Sequence, residues 1–144
     1  LMVGATMAVA SAVISEQSGL LAFASTALGP LFVGKGPIGV LLIVILLSAL
    51  LTNIGSNIGF GALLIPMVTP FLAPTGANPV VVGIALIYVV NMGLILPGAS
   101  APAAIIHSNT EWMDSKEIYK VLCFSMALTL LVAIPTLVVA NAIV

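Results

Sequence analysis

Charge is scarce in this sequence. Of its 144 residues only 5% are Asp, Glu, Lys or Arg, against 62% hydrophobic. A soluble domain carries about 25% charged residues, so the composition points to an integral membrane protein, as does the mean hydropathy of +1.36. The basic residues number three. With no basic run and no aromatic-basic interleaving, nothing indicates a nucleic-acid partner. The single cysteine, Cys123, excludes an intrachain disulfide and any multi-cysteine metal site. It sits in an apolar run, as a small core or lipid-facing residue. No His-Glu-x-x-His motif or other recognisable catalytic set is present, which disfavours a membrane-embedded enzyme. No charged side chain lies between Lys35 and Glu111, which argues against a proton relay built from carboxylates there. The sequence opens at Leu1 already inside an apolar stretch, with no basic n-region and no small-residue cleavage site, so it reads as the C-terminal portion of a longer protein and not as a signal peptide.

What is present is a polar island in apolar surroundings, Thr52-Asn53-Ile54-Gly55-Ser56-Asn57. Ile38 to Leu51 precedes it and Ile58 to Ala73 follows it. As helices these arms of about 14 to 16 residues would reach roughly 21 to 24 Å, short of a hydrocarbon core about 30 Å thick. Two short arms meeting at a polar tip predict a re-entrant helical hairpin over residues 38–73, with its tip at 52–57. Irregular backbone at membrane depth survives only where protein or a wet cavity covers it.

The rest of the chain falls into apolar runs with identifiable breaks. Residues 1–32 read as helix and interfacial segments: Leu1 to Ile14 as the end of a transmembrane helix rich in small residues, a break at Ser15 to Gly19, then Leu20 to Phe32. Val33 to Pro37 is a loop, with Pro37 suited to a helix's first turn. Pro70, Pro74, Gly76, Asn78 and Pro79 mark a turn-rich exit from the hairpin. Residues 80–107 read as one discontinuous helix: Val80 to Leu96, an interruption at Pro97-Gly98-Ala99-Ser100-Ala101-Pro102, then apolar character through Ile106. Such an interruption frees carbonyls on one side and offers N–H groups and a positive dipole end on the other. His107 to Lys120 collects Glu111, Asp114, Lys116, Glu117 and Lys120 with Trp112 and Tyr119, a water-exposed loop with interfacial aromatics. Val121 to Val144 is a final transmembrane helix, kinked at Pro135. Two of the three lysines lie in the 107–120 loop, which places that loop in the cytoplasm and the C-terminus outside.

Thr52, Ser56 and Asn57, followed by the apolar arm to Pro66, resemble the second hairpin-tip signature of the divalent-anion/sodium symporters (the DASS family, within the ion-transporter superfamily). Leu96-Pro97-Gly98-Ala99-Ser100-Ala101-Pro102 is similar to that family's unwound segment in the next helix. The resemblance covers essentially the whole chain. It implies the C-terminal half of an inverted-repeat, elevator-type transporter, a multi-pass protein of the cell membrane acting as a homodimer with an N-terminal repeat of the same protein. Such a protein couples sodium entry to uptake of a small anion, a di- or tricarboxylate or sulfate. By resemblance Ser56, Asn57 and Ser100 contact the anion, and Thr52, Asn57 and the carbonyls of Ala99 and Ala101 form a sodium site. No cofactor is implied beyond sodium as the coupling ion. The sequence departs from the family at Ile58, where a threonine is usual, at Ala101 in place of a proline, and at Ala103 in place of an asparagine. These departures weaken a dicarboxylate reading. They leave open an ion exchanger or metalloid-anion efflux permease of the same superfamily. A structural membrane subunit is the third alternative. Ser108-Asn109-Thr110 also spells the signature but lies beside the charged loop, not between apolar arms.

The residue types suit the chemistry. Hydroxyls, an amide oxygen and unwound carbonyls are hard oxygen ligands that avoid a buried carboxylate, and helix N-termini favour an anion. Each polar residue also has a plainer role. Ser56 and Asn57 would serve as interhelical hydrogen bonds, worth about 0.6 to 2 kcal/mol. Asn53 is a tip cap, Asn91 links helices, and His107 and Glu111 are interfacial polar groups. Glu16 is a solvated loop charge.

Overall fold

The computed structural model describes residues 19–143 apart from Thr110, together with Ala8 and Ser15. The helix end expected over residues 1–14 lies outside these. The described residues form helices and connecting turns, with no strand among them. The helices are α1 (Leu20–Phe32), α2 (Pro37–Ile54), α3 (Asn57–Thr75), α4 (Pro79–Val90), α5 (Ala101–Ser108) and α6 (Ser115–Ile143). Three of them, α2, α3 and α6, are long and apolar enough to cross a membrane.

Proline opens α2 and α4, at Pro37 and Pro79, where the missing N–H has no helical partner to lose. Asn78 caps α4 by accepting from the Val80 and Val81 amides at 2.9 and 3.4 Å. Gly76 ends α3 with φ +68°, a left-handed conformation that glycine adopts without strain. α3 carries Pro66, Pro70 and Pro74 in its interior.

The arms are longer than the sequence reading allowed. α2 has 18 residues and α3 has 19, each about 27 to 28 Å at 1.5 Å per residue. Four of the seven added residues come from the polar island, the others being Pro37, Pro74 and Thr75. Thr52, Asn53 and Ile54 continue α2, and Asn57 already belongs to α3, so only Gly55 and Ser56 lie between the helices. Gly55 is extended, φ −149° and ψ −173°.

Core packing follows the helical repeat. On α2, Val40, Leu41, Val44, Ile45, Ser48 and Thr52 are all buried, and this spacing puts them along one stripe. α2 packs against α3 and α4, which also pack on each other, while α6 lies against α2 and α4. From α4, Val82, Ala85, Leu86 and Val89 complete the centre; from α3, Leu64 and Val68 do so. α1 is fastened to α3 by the stacked rings of Phe32 and Phe71, 4.8 Å apart and 11° from parallel.

Two other boundaries differ from the sequence reading. α4 stops at Val90, so the interruption of the discontinuous helix covers residues 91–100 instead of starting at Pro97. α6 starts at Ser115 instead of Val121. The Asp114 carboxylate accepts from the Lys116 amide at 3.2 Å and its carbonyl accepts from the Ile118 amide at 3.1 Å. That capping turns half of the expected polar loop into the first turns of a 29-residue helix.

Candidate site at the crossing of two helix breaks

The Gly55–Ser56 break and the 91–100 interruption meet. The first amide of α3, Asn57 N, donates to the Ala99 carbonyl at 3.1 Å. The Thr52 hydroxyl lies 2.7 Å from Asn57 Oδ1 and 2.6 Å from the carbonyl oxygen of Val90. Val90 is the last residue of α4, so its carbonyl has no helical donor. Thr52 is completely buried.

Unwound backbone inside an apolar environment needs a partner for each N–H and C=O. Side chains provide several. Asn53 Oδ1 accepts from the Ile95 amide at 3.0 Å, while its Nδ2 donates to the Ala49 carbonyl at 2.7 Å and reaches Met126 Sδ on α6 at 3.4 Å. The Ser100 hydroxyl donates to the Gly93 carbonyl at 2.8 Å and accepts from the Ala103 amide at 3.3 Å. His107 Nε2 lies 2.9 Å from the Ile95 carbonyl, with its ring against Tyr119 at 4.9 Å. Asn53 is therefore a clamp on the opposite segment and not a tip cap. His107 is half-buried and joined to the interruption, whereas Glu111 is exposed.

Gly93 is what lets the segments approach. A Cβ there would lie 2.7 Å from both the carbonyl oxygen and the hydroxyl of Thr52, and closer still to Asn57 Oδ1. Its conformation is not the reason for glycine, since its φ is not positive; the lack of a side chain is.

Beside this crossing lies a cleft of about 330 Å³ lined by Ser56, Asn57, Ile58, Asn91, Leu94, Ala99, Ser100, Ala101 and Pro102. Ser56 precedes α3 without a side-chain capping bond, so its hydroxyl is available to the cleft. Asn91, read from sequence as a link between helices, instead ends α4 and returns its Nδ2 to the Ile87 carbonyl at 2.7 Å. Its place in the cleft was missed because it sits in an unbroken apolar run. One turn before Thr52, Ser48 is buried with its hydroxyl unpartnered, so the polar track continues into α2.

The residues singled out from sequence thus divide. Thr52, Asn57 and Ala99 converge at the crossing, and Ser56 and Ser100 line the cleft. Ala101 is the first residue of α5 and exposed; its carbonyl belongs to that helix's own ladder. The oxygen that sequence reasoning overlooked is the Val90 carbonyl, exposed by an unforeseen helix end. Among the described residues no group of three or more His, Cys, Asp or Glu side chains could hold a metal ion. Comparison with family models, curated proteins and solved structures gives no match to this chain.

Proposed function

We propose that this chain is the C-terminal half of an inverted-repeat secondary transporter of the cell membrane, coupling sodium to the movement of a small anion. In this reading α2 and α3 are a re-entrant hairpin, α4 and α5 a discontinuous helix, and their crossing holds the ion. The observation that carries the reading is the Thr52 hydroxyl, which has one proton and two oxygen neighbours at 2.7 and 2.6 Å. The Thr52 hydroxyl, the Asn57 side-chain amide and the Val90 carbonyl therefore lie close enough to be shared by one cation. The neighbouring oxygens are neutral hydroxyl, amide and carbonyl groups, the ligand type preferred by a hard cation of low charge.

Asn57 links this ion to the cleft, because its side-chain amide borders both. With sodium present, Oδ1 turns to the ion and Nδ2 to the cleft, where it donates to an anion. Without sodium, the amide turns over. Nδ2 then donates to the Thr52 hydroxyl, the Thr52 proton goes to Val90, and Oδ1 faces the cleft and opposes an anion. Each ligand thereby raises the affinity of the other, as linkage requires. The first turn of α3 adds the Ile58 and Gly59 amides, those of Asn57 and Phe60 being taken by the Ala99 and Ser56 carbonyls.

The test is uptake of labelled succinate, citrate and sulfate by the protein in liposomes, with and without a sodium gradient. Sodium-dependent uptake of at least one, lost in Thr52→Val but kept in Thr52→Ser, is the expected result. Uptake that follows protons and ignores sodium identifies an exchanger instead. No uptake of any anion, with unchanged sodium affinity in Thr52→Val, leaves a structural subunit.

A further inference from the structure

We infer that the groove between α1 and α3 binds one anionic phospholipid, whose headgroup meets Lys35. The groove has a volume of about 330 Å³, and its lining includes Gly29, Phe32, Val33, Lys35, Phe71 and Pro74. That volume lies within the range of small-ligand sites.

The groove sits at one end of the helix hairpin. α2 starts beside the place where α3 stops, since a Cβ on Gly76 would stand 3.9 Å from Pro37 Cγ. Asn141, near the end of α6, shares a cleft with Pro37 and Gly76. Asp114 and Glu117 lie at the opposite end of α6, about 36 Å away along its axis. Whether α2 and α3 cross a bilayer or re-enter it, their paired ends lie at its surface.

Charge at this end is one-sided. Lys35 is its basic residue, and the carboxylates among the described residues, Glu111, Asp114 and Glu117, all lie at or beside the remote start of α6. Lys35 is exposed, and Gly39 makes room for its stem. A Cβ on Gly39 would stand 3.3 Å from Lys35 Cβ and 3.6 Å from its Cδ. A stem held along a helix with its ammonium towards the headgroups is the usual posture of lysine at a membrane surface.

The wall below is apolar. The stacked rings of Phe32 and Phe71 belong to it, and Val33 beside them is 77% exposed. In a bilayer such a space fills with acyl chain, so selection falls to the headgroup. A free anion would leave the apolar wall uncovered, and a neutral lipid would leave Lys35 without a counterion. A phospholipid of net negative charge answers both, as in other basic pockets between membrane helices.

The test is native mass spectrometry of the full-length protein, released from detergent after titration with dioleoyl phosphatidylglycerol or dioleoyl phosphatidylcholine. One lysine at a membrane surface is worth about fivefold in affinity for an anionic lipid. The expected result is therefore a retained phosphatidylglycerol about fivefold tighter than phosphatidylcholine, reduced to parity in Lys35→Gln and kept in Lys35→Arg. Gly29→Leu, which starts a side chain 3.8 Å from Phe71 Cε1, should weaken retention of both lipids by filling the groove. Lys35 is exposed, so Lys35→Gln decides the matter even where Gly29→Leu folds poorly. Equal retention of the two lipids by the parent, or a phosphatidylglycerol preference that survives in Lys35→Gln, overturns the inference. So does displacement of phosphatidylglycerol by millimolar inorganic phosphate, which marks a plain anion site. A parent dimer that retains no lipid and falls to monomer in Gly29→Leu puts a second copy in the groove instead. None of these results bears on sodium binding at the crossing.

Discussion

Gly93→Ala is the sharpest probe of the crossing. The added methyl would stand 2.7 Å from the carbonyl oxygen and from the hydroxyl of Thr52, and nearer still to Asn57 Oδ1. Ordinary carbon–oxygen contacts are longer, so something must move. The Thr52 carbonyl is fixed in α2, and Thr52 is wholly buried among packed side chains. The methyl therefore pushes the 91–100 segment outward. Overpacking of this kind costs about 1 to 3 kcal/mol, and loss of the bond from Thr52 to Val90 adds about 0.5 to 1.5 kcal/mol. A total of about 1.5 to 4.5 kcal/mol places the variant at the upper end of single-substitution effects. Gly98→Ala is the internal control. Gly98 lies in the same segment, has no heavy atom within 4 Å of its added Cβ, and lacks a positive φ, so it should stay within about 0.5 kcal/mol of the parent. The assay is thermal unfolding of the three proteins in one detergent, paired with labelled-sodium binding. Gly93→Ala should be markedly less stable and lose sodium affinity, while Gly98→Ala keeps both. Equal behaviour of the two variants would refute the close approach of the helix breaks and everything built on it.

Two further substitutions examine the supports of the unwound segment. Asn53→Leu removes the acceptor for the Ile95 amide and should cost about 1 to 3 kcal/mol, the penalty of a buried unpaired group; faster amide exchange over residues 91–100 checks it. His107→Phe keeps a ring beside Tyr119 but loses the contact with the Ile95 carbonyl, and about 1 kcal/mol of stability should go with it, read from the same thermal unfolding. A larger loss in His107→Phe than in Asn53→Leu would reverse the roles assigned to the two.

Much of the helical layout was legible because its punctuation is local. Pro37 announces a helix start, and Gly76, Asn78 and Pro79 announce a turn, in which the structure makes Gly76 the stop of α3, Asn78 the cap of α4 and Pro79 its first residue. The break near Ser56 was visible as polarity between two apolar runs. The end of α4 was not. Val89-Val90-Asn91-Met92 continues the apolar run, and nothing in it forbids helix. The helix stops there where Thr52 takes the Val90 carbonyl, Ser100 takes that of Gly93, and Asn53 receives the Ile95 amide. Those partners lie elsewhere in the sequence, and the Val90 carbonyl that Thr52 takes was hidden with them. Asn53 was misread for the same reason: a cap and a cross-segment clamp look alike until the opposite backbone is known. The early start of α6 was within reach, since Asp114 followed by Glu117 is a common opening for a helix, but the density of charge there suggested a loop.

The three prolines of α3 make the two arms mechanically unequal. Pro66, Pro70 and Pro74 recur every fourth residue, and each removes one rung of the backbone ladder along a single stripe of the helix. α2 has no interior proline and keeps its ladder intact. A load applied where the arms join is therefore taken up by curvature of α3 while α2 stays straight. Thr52 rides on the stiff arm and Asn57 on the pliant one, so bending opens or closes the gap between these two oxygens without disturbing the packed stripe of α2.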